Sequence, residues 1–192
     1  SLIVVRSDRA IGALEDLRGR TLGVGAGDSP QATLIPLQHL AERGLVAERD
    51  FRVQRFDVLV GKHGDHVGGE RDAARALMSG AVDAACMIDA NHLVFTAEGT
   101  LPRGATRVLE ATPLYDHCNF TVLDGAPTAA IARFRELLLG MRYEDPEVRP
   151  LLDLEGLKAW LPGRTSGYAL LERACARTGV LEPFLRRVGT PS

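Results

Sequence analysis

Long apolar runs are missing. No stretch of the 192 residues approaches the roughly 20 apolar positions that a bilayer-crossing helix needs. Charge of one sign is missing too. The 23 Lys and Arg against 25 Asp and Glu leave a formal net charge of -2, too little positive field for nucleic acid or an anionic membrane to be the main partner. Cysteine is scarce. Cys86, Cys118 and Cys175 are widely spaced, odd in number and without metal-knuckle spacing, so they read as mostly reduced and buried. No internal repeat and no low-complexity linker interrupts the chain. Neither a start methionine nor a signal peptide precedes "SLIVVR". The expectation is that a leader and more of the N-terminus were removed, or that the chain is a segment of something longer, and the compartment stays open. What is present is a 45 % hydrophobic content, enough for a substantial core in one large domain or two small lobes.

The apolar residues are arranged as strands alternating with helices. "SLIVVR" (1–6) and "RTLGVGA" (20–26) are short runs of Val, Ile and Leu bounded by turn residues, which suits buried strands. "FRVQRFDVLV" (51–60) alternates as a half-buried strand does, "AVDAACMI" reads as another buried strand, and "TRVLEAT" (106–112) and "NFTVLDG" (119–125) as two more. Helical spacing runs from Pro30 to about Arg43, with Gly44 as a stop, and through "ERDAARALMSG", "DANHLVFTAEG", residues 127–141, "DPEVRPLLDLEGL" and "SGYALLERACARTGV". This order predicts an α/β fold with a largely parallel sheet.

The order of motifs resembles a known family. "SLIVVRSDRAIGALEDLRGRTLGVGAGDSPQATLIPLQHLAERGL" is similar to the middle of the phosphate/phosphonate-type solute-binding proteins of ABC importers. "ARALMSGAVDAACM", "EATPLYDHCNFTV" and "LKAWLPGRTSGYALLERAC" resemble that family's later segments in the same order. The resemblance implies a type II periplasmic-binding-protein fold of two α/β lobes joined by hinge strands, with the first lobe incomplete because a preceding stretch of about half a domain is missing. Residues 7–111 would be the second lobe. Residues 1–6 and 112–192 would supply the hinge strands and the C-terminal helical part of the first lobe. Sheet edges left open in this way invite pairing, so either further N-terminal residues or a partner chain, a homodimer included, is expected to cover them.

Three stretches carry candidate chemistry. In "GAGDSPQATLIPLQHL" a glycine-loosened turn runs straight into a helix, whose first N–H groups lack partners and sit at the positive end of the dipole. That is an anion site, or Asp28 or Ser29 merely caps the helix. The family's corresponding turn usually reads "S-T-S-G"; here Ser29 keeps the hydroxyl, Pro30 removes a donor, Gln31 adds an amide, and Ala32 and Thr33 complete the first turn. In "GKHGDHVGGERDAARAL", Glu70 and Arg71 stand where the family has a His-Asp pair. Arg71 is a candidate cation for a bound anion. His63, Asp65 and His66 are candidates for a nitrogen–oxygen metal set, and a solvated loop is the plain alternative. In "YDHCNFT", His117 and Asn119 share one face of the expected strand and Cys118 the other, so His117 and Cys118 should not activate each other. Asp83 reads as a turn cap and Trp160 as a packing anchor.

The resemblance therefore implies binding of a small anionic solute, such as a phosphonate or phosphate, at Ser29, Gln31, Ala32, Thr33, Glu70, Arg71, His117 and Asn119. It implies no catalytic residue, no cofactor, partnership with ABC transporter membrane subunits and an extracytoplasmic location. The alternative is a cytoplasmic ligand sensor or enzyme reusing the fold, with a metal at the His63/His66 loop.

Overall fold

The structure, a computed structural model, describes residues 1–57, 67–116, 119–154 and 156–188. The apolar run at the N-terminus becomes an interior strand. Leu2–Arg6 (β1), Thr21–Val24 (β2), Arg52–Arg55 (β3), Ala84–Met87 (β4) and Thr106–Ala111 (β5) line up in the order β3-β2-β4-β1-β5. β2 pairs parallel with β3 and β4, whereas β1 runs antiparallel to both β4 and β5. Four strands thus share a direction and β1 alone opposes them.

Burial explains the sequence pattern of each strand. β4 is covered at every position, which is why "AACM" shows no alternation. β3, at the sheet edge, is mostly exposed and carries Arg at both ends, a charge pattern that discourages pairing with another chain. On β1, successive side chains go to opposite faces. Ile3 and Val5 join Leu14, Leu17, Leu22, Val24, Leu40 and Phe51 in one core. Val4 joins Ala73, Leu77, Met87, Phe95 and Leu101 in the other. The first face is covered by helix Ile35–Glu42 (α1), the second by Val67–Ser79 (α2) and Asp89–Ala97 (α3). Each fully buried Leu, Ile or Phe contributes about 1.5–3 kcal/mol.

The chain divides into two units, Ser1–Tyr115 with Tyr168–Ser192, and Asp116–Gly167. The first holds the whole sheet and also helices Ala169–Thr178 (α6) and Leu181–Val188 (α7). Ala174 and Cys175 of α6 pack with Leu34, and α6 ends on Gly179 at φ 63°, the left-handed stop that glycine supplies most easily. Leu2–Arg6 is an inner strand of the sheet, and α6 shares a core with the helix that starts at Pro30.

The second unit contains Thr128–Gly140 (α4) and Arg149–Leu154 (α5). Leu152 is buried, but α4 buries no residue fully. Phe120 stacks edge-on against Phe134 at 5.2 Å and lies 5.3 Å from Trp160, so Trp160 does anchor local packing. The two ends of the unit meet. The Asp116 N–H donates to the Gly167 carbonyl at 3.0 Å, and Arg164 donates twice to the Asp116 carboxylate at 2.6 Å. A Cβ on Gly167 would collide with that carboxylate. The strand expected at 119–125 is absent: its described residues are exposed, with a turn at Asp124–Gly125. Alternation alone does not hold a strand without a partner to hydrogen-bond with, and 119–125 pairs with none of the described strands.

Candidate functional site

β2 and β4 end side by side, and each runs into a helix whose N-terminus lies beyond the carboxyl edge of the sheet. Open α/β sheets place ligands at that edge. After β2 the chain turns through Gly25, Ala26, Gly27 and Asp28 into a helix entry at Ser29. Ser29 has φ -70° and ψ 117°, outside helical values, and its Oγ accepts the Ala32 N–H at 3.2 Å. The Ser29 carbonyl accepts both the Thr33 N–H at 3.2 Å and the Leu34 N–H at 3.0 Å. Ile35 donates to the Pro30 carbonyl. This wide Pro30–Leu34 turn has the i→i+5 pairing of a π-helix, which recurs at functional sites.

Proline at 36 accounts for the next contact. Pro36 has no N–H to give the Ala32 carbonyl, and that carbonyl instead accepts the Gly25 N–H at 3.2 Å. The turn is thereby folded back onto the end of β2, so closely that a Cβ on Gly25 would lie 2.7 Å from the Ala32 Cβ. Gly69 is fixed by a similar approach, since its Cβ would stand 2.6 Å from the Phe56 carbonyl oxygen. Only glycine fits either crossing.

Glu70 completes the arrangement. It lies in the first turn of α2 and is fully buried, at 0 % exposure. Its Oε2 accepts the Ile88 N–H and the Asn91 Nδ2, each at 2.9 Å. Ile88 is the N-cap of α3, so one buried carboxylate joins the starts of α2 and α3. Its Cγ and the Ser29 Cβ both stand 3.9 Å from the point where a Gly25 Cβ would be. Two helix entries and an acidic side chain therefore meet around the missing side chain of Gly25. The positive helix ends favour negative charge at this place.

The structure brings together some of the residues expected from sequence. Ser29, Ala32 and Thr33 are buried on the entry turn, and Gln31 is half-buried beside them. Ser29 works as the helix cap. Pro30 lacks an N–H, and the amides of Ser29, Ala32, Thr33 and Leu34 are engaged within the turn. Arg71 reaches from α2 to α3. Its Nε and Nη2 donate to the two Glu98 oxygens at 2.9 and 3.2 Å, and its guanidinium lies 5.0 Å over the Phe95 ring. Those contacts hold α2 against α3. Asn119 belongs to the second unit, where its Oδ1 accepts the Thr121 hydroxyl at 2.9 Å. His63, Asp65, His66, His117 and Cys118 lie outside the described residues. Among the described residues, no group of three or more His, Cys, Asp or Glu is placed to hold a metal, and no helix is long and apolar enough to cross a membrane.

Asp83 accepts the Thr21 N–H at 2.9 Å, so its carboxylate ties the start of β2 to the residue before β4 and does not cap its own turn. Cys86 and Cys175 are buried free thiols, and burial pushes the Cys86 thiol well above its ordinary range. Asn91 was not anticipated. The signal available for it was "DAN" at a helix start, where short polar side chains serve backbone donors and neighbouring acceptors.

Known proteins give a consistent picture. The profile of the family described as ABC transporter, phosphonate, periplasmic substrate-binding protein matches residues 1–168. Among solved structures, PhnD1 from Prochlorococcus marinus in complex with methylphosphonate is similar, with a TM-score of 0.68 at 15 % identity over 93 % of this chain and 66 % of that one. XAC2383 from Xanthomonas citri bound to ATP gives a TM-score of 0.65 at 20 % identity over 94 % of this chain and 66 % of that one. A binding protein component of an ABC phosphonate transporter (PA3383) from Pseudomonas aeruginosa gives a TM-score of 0.63 at 14 % identity over 98 % of this chain and 67 % of that one. At such identities these likenesses speak for the fold. This chain spans 66 % of the length of the first two. No curated protein sequence matches it.

Proposed function

This chain belongs to the family of phosphonate-binding periplasmic substrate-binding proteins of ABC transporters, and on that premise we propose that it is the solute-binding component of an importer, taking a small oxyanion such as a phosphonate or phosphate. The observation that carries this reading is the meeting of two helix entries, at Ser29 and at Ile88, beyond the shared carboxyl edge of β2 and β4. Backbone N–H groups and the helix dipoles there suit an oxyanion.

In this proposal the solute takes over the Ala32 amide that Ser29 Oγ now holds, and the Ser29 hydroxyl turns to donate to a solute oxygen. Gln31 and Thr33 add side-chain donors on the same turn. Glu70 orients the α3 entry. Arg71 contributes positive potential from its place beside Glu98. Binding proceeds without covalent chemistry, in an extracytoplasmic compartment, and the loaded protein delivers its solute to the transporter's membrane subunits.

The test is thermal unfolding of the full chain with and without methylphosphonate, phosphate and phosphite. A ligand present at 100 times its Kd stabilises the folded state by about 2.7 kcal/mol, so a clear rise in Tm with at least one of these anions is expected. An unchanged Tm at millimolar concentrations of all three contradicts the reading.

A further inference from the structure

We propose that Asp116 and Arg164, closed over Gly167, form a clamp that ties together the two chain crossings between the units, so that the Asp116–Gly167 unit swings on one joint instead of two. The chain leaves the sheet-bearing unit after Tyr115 and returns to it at Tyr168. Asp116 and Gly167 are the first and last residues of the inserted unit, and the Asp116 N–H donates to the Gly167 carbonyl at 3.0 Å. Arg164 adds a two-pronged grip. Its Nε and Nη2 donate to the two oxygens of the Asp116 carboxylate, each at 2.6 Å. Paired bonds of this kind fix orientation as well as distance.

Gly167 makes room for the clamp. Its backbone is not in the left-handed region, so the path of the chain does not call for glycine there. The space does: a Cβ would fall on the Asp116 carboxylate and push it off Arg164. The Asp116 side chain is 22 % exposed although that of Arg164 is 68 % exposed, so the carboxylate is the covered half of the pair. Arg164 holds it below the usual carboxylate range. On the sheet side, the Tyr115 hydroxyl lies 3.1 Å from the Ser1 Oγ, which anchors the residue just before the first crossing. Hinged proteins concentrate their motion in a few residues at such joints. A joint of two tied segments bends, whereas two loose segments also let the unit twist.

Residual dipolar couplings of the isotope-labelled full chain test the proposal. They are measured without solute, so their outcome is separate from that of the thermal-unfolding test above. In the wild-type protein the backbone couplings of both units are expected to fit one common alignment. Arg164→Met and Gly167→Ala open the clamp by different routes. Each is expected to lose that common alignment, with the Asp116–Gly167 unit the less ordered, while the couplings within each unit keep their pattern. Hydrogen exchange at the Asp116 amide should quicken by up to about five-fold in Arg164→Met, the most that an ion pair of this exposure shifts an equilibrium. Wild-type units that need separate alignments overturn the proposal, and that comparison requires no variant. Either variant, folded and still fitting one alignment, overturns it as well. So does loss of the unit's own fold in both variants, because the pair then builds the unit instead of tying its ends.

Discussion

The sheet-bearing unit and the Asp116–Gly167 unit are of one chain, yet they hold together by different means. The first has apolar cores on both faces of its sheet. In the second, Leu152 is buried, α4 buries nothing fully, and Leu123, Leu154 and Leu161 face solvent. Its visible ties are an aromatic cluster and polar pairs, namely Asp116 with Arg164 and Tyr143 with Asp153. Surface pairs of this kind contribute about 0–1 kcal/mol each. The difference teaches where the cooperative stability of the molecule lies. The Ser29 turn and Glu70 are built on the unit that has it, so the candidate site rests on a rigid frame.

The largest expected contrast comes from truncating leucines in the two units. Leu77→Ala removes a fully buried side chain between α2 and the sheet and should cost about 2–5 kcal/mol. Leu161→Ala, at a side chain 80 % exposed, should change stability by less than about 0.5 kcal/mol. Calorimetric unfolding of both variants measures the contrast, and equal losses would erase it. Next in size is Gly25→Ala, whose added methyl meets Ala32. Overpacking of this kind costs about 1–3 kcal/mol, and the same unfolding experiment should show it. Ser29→Ala deletes the cap on the Ala32 amide and should lose about 1 kcal/mol, together with any solute affinity that the hydroxyl provides.

A smaller effect depends on pH. His39 on α1 is almost wholly buried, with its Nε2 3.1 Å from Glu110 Oε1 on β5 and its ring against Arg43. Burial lowers its pKa below the ordinary value; the Glu110 hydrogen bond raises it, Arg43 lowers it further, and Glu42 raises it slightly. Protonation is therefore harder in the folded state than in the unfolded one. This contribution to stability is fully present above the unfolded value of about 6.5 and is lost as pH falls through it. Chemical denaturation across pH 5 to 8 should show that decline, with a shallower slope in His39→Gln.

The sheet was legible in the sequence because burial wrote it there. "LIVV" (2–5) and "AACM" are uniformly apolar since both faces of the sheet are covered, and Gly44 and Gly179 stop helices through left-handed backbone. The stretch 119–125 had the alternation of a strand but no neighbour to pair with, and pairing cannot be read from one segment. The entry turn was legible in part. Ser29 before Pro30 announced a helix start. The wide turn did not show, because it depends on Pro36 leaving the Ala32 carbonyl to a glycine seven residues upstream of it. Glu70 stood out through the resemblance, as a residue where the family has a His-Asp pair, whereas its link to Asn91 joins two helices and leaves no local trace.

The most direct test of the central claim is amide chemical-shift mapping of the isotope-labelled chain as methylphosphonate is added. The account predicts that the largest saturable shifts fall on the Gln31, Ala32, Thr33 and Ile88 amides. Saturable shifts confined to the Asp116–Gly167 unit, or none anywhere at millimolar ligand, would contradict it.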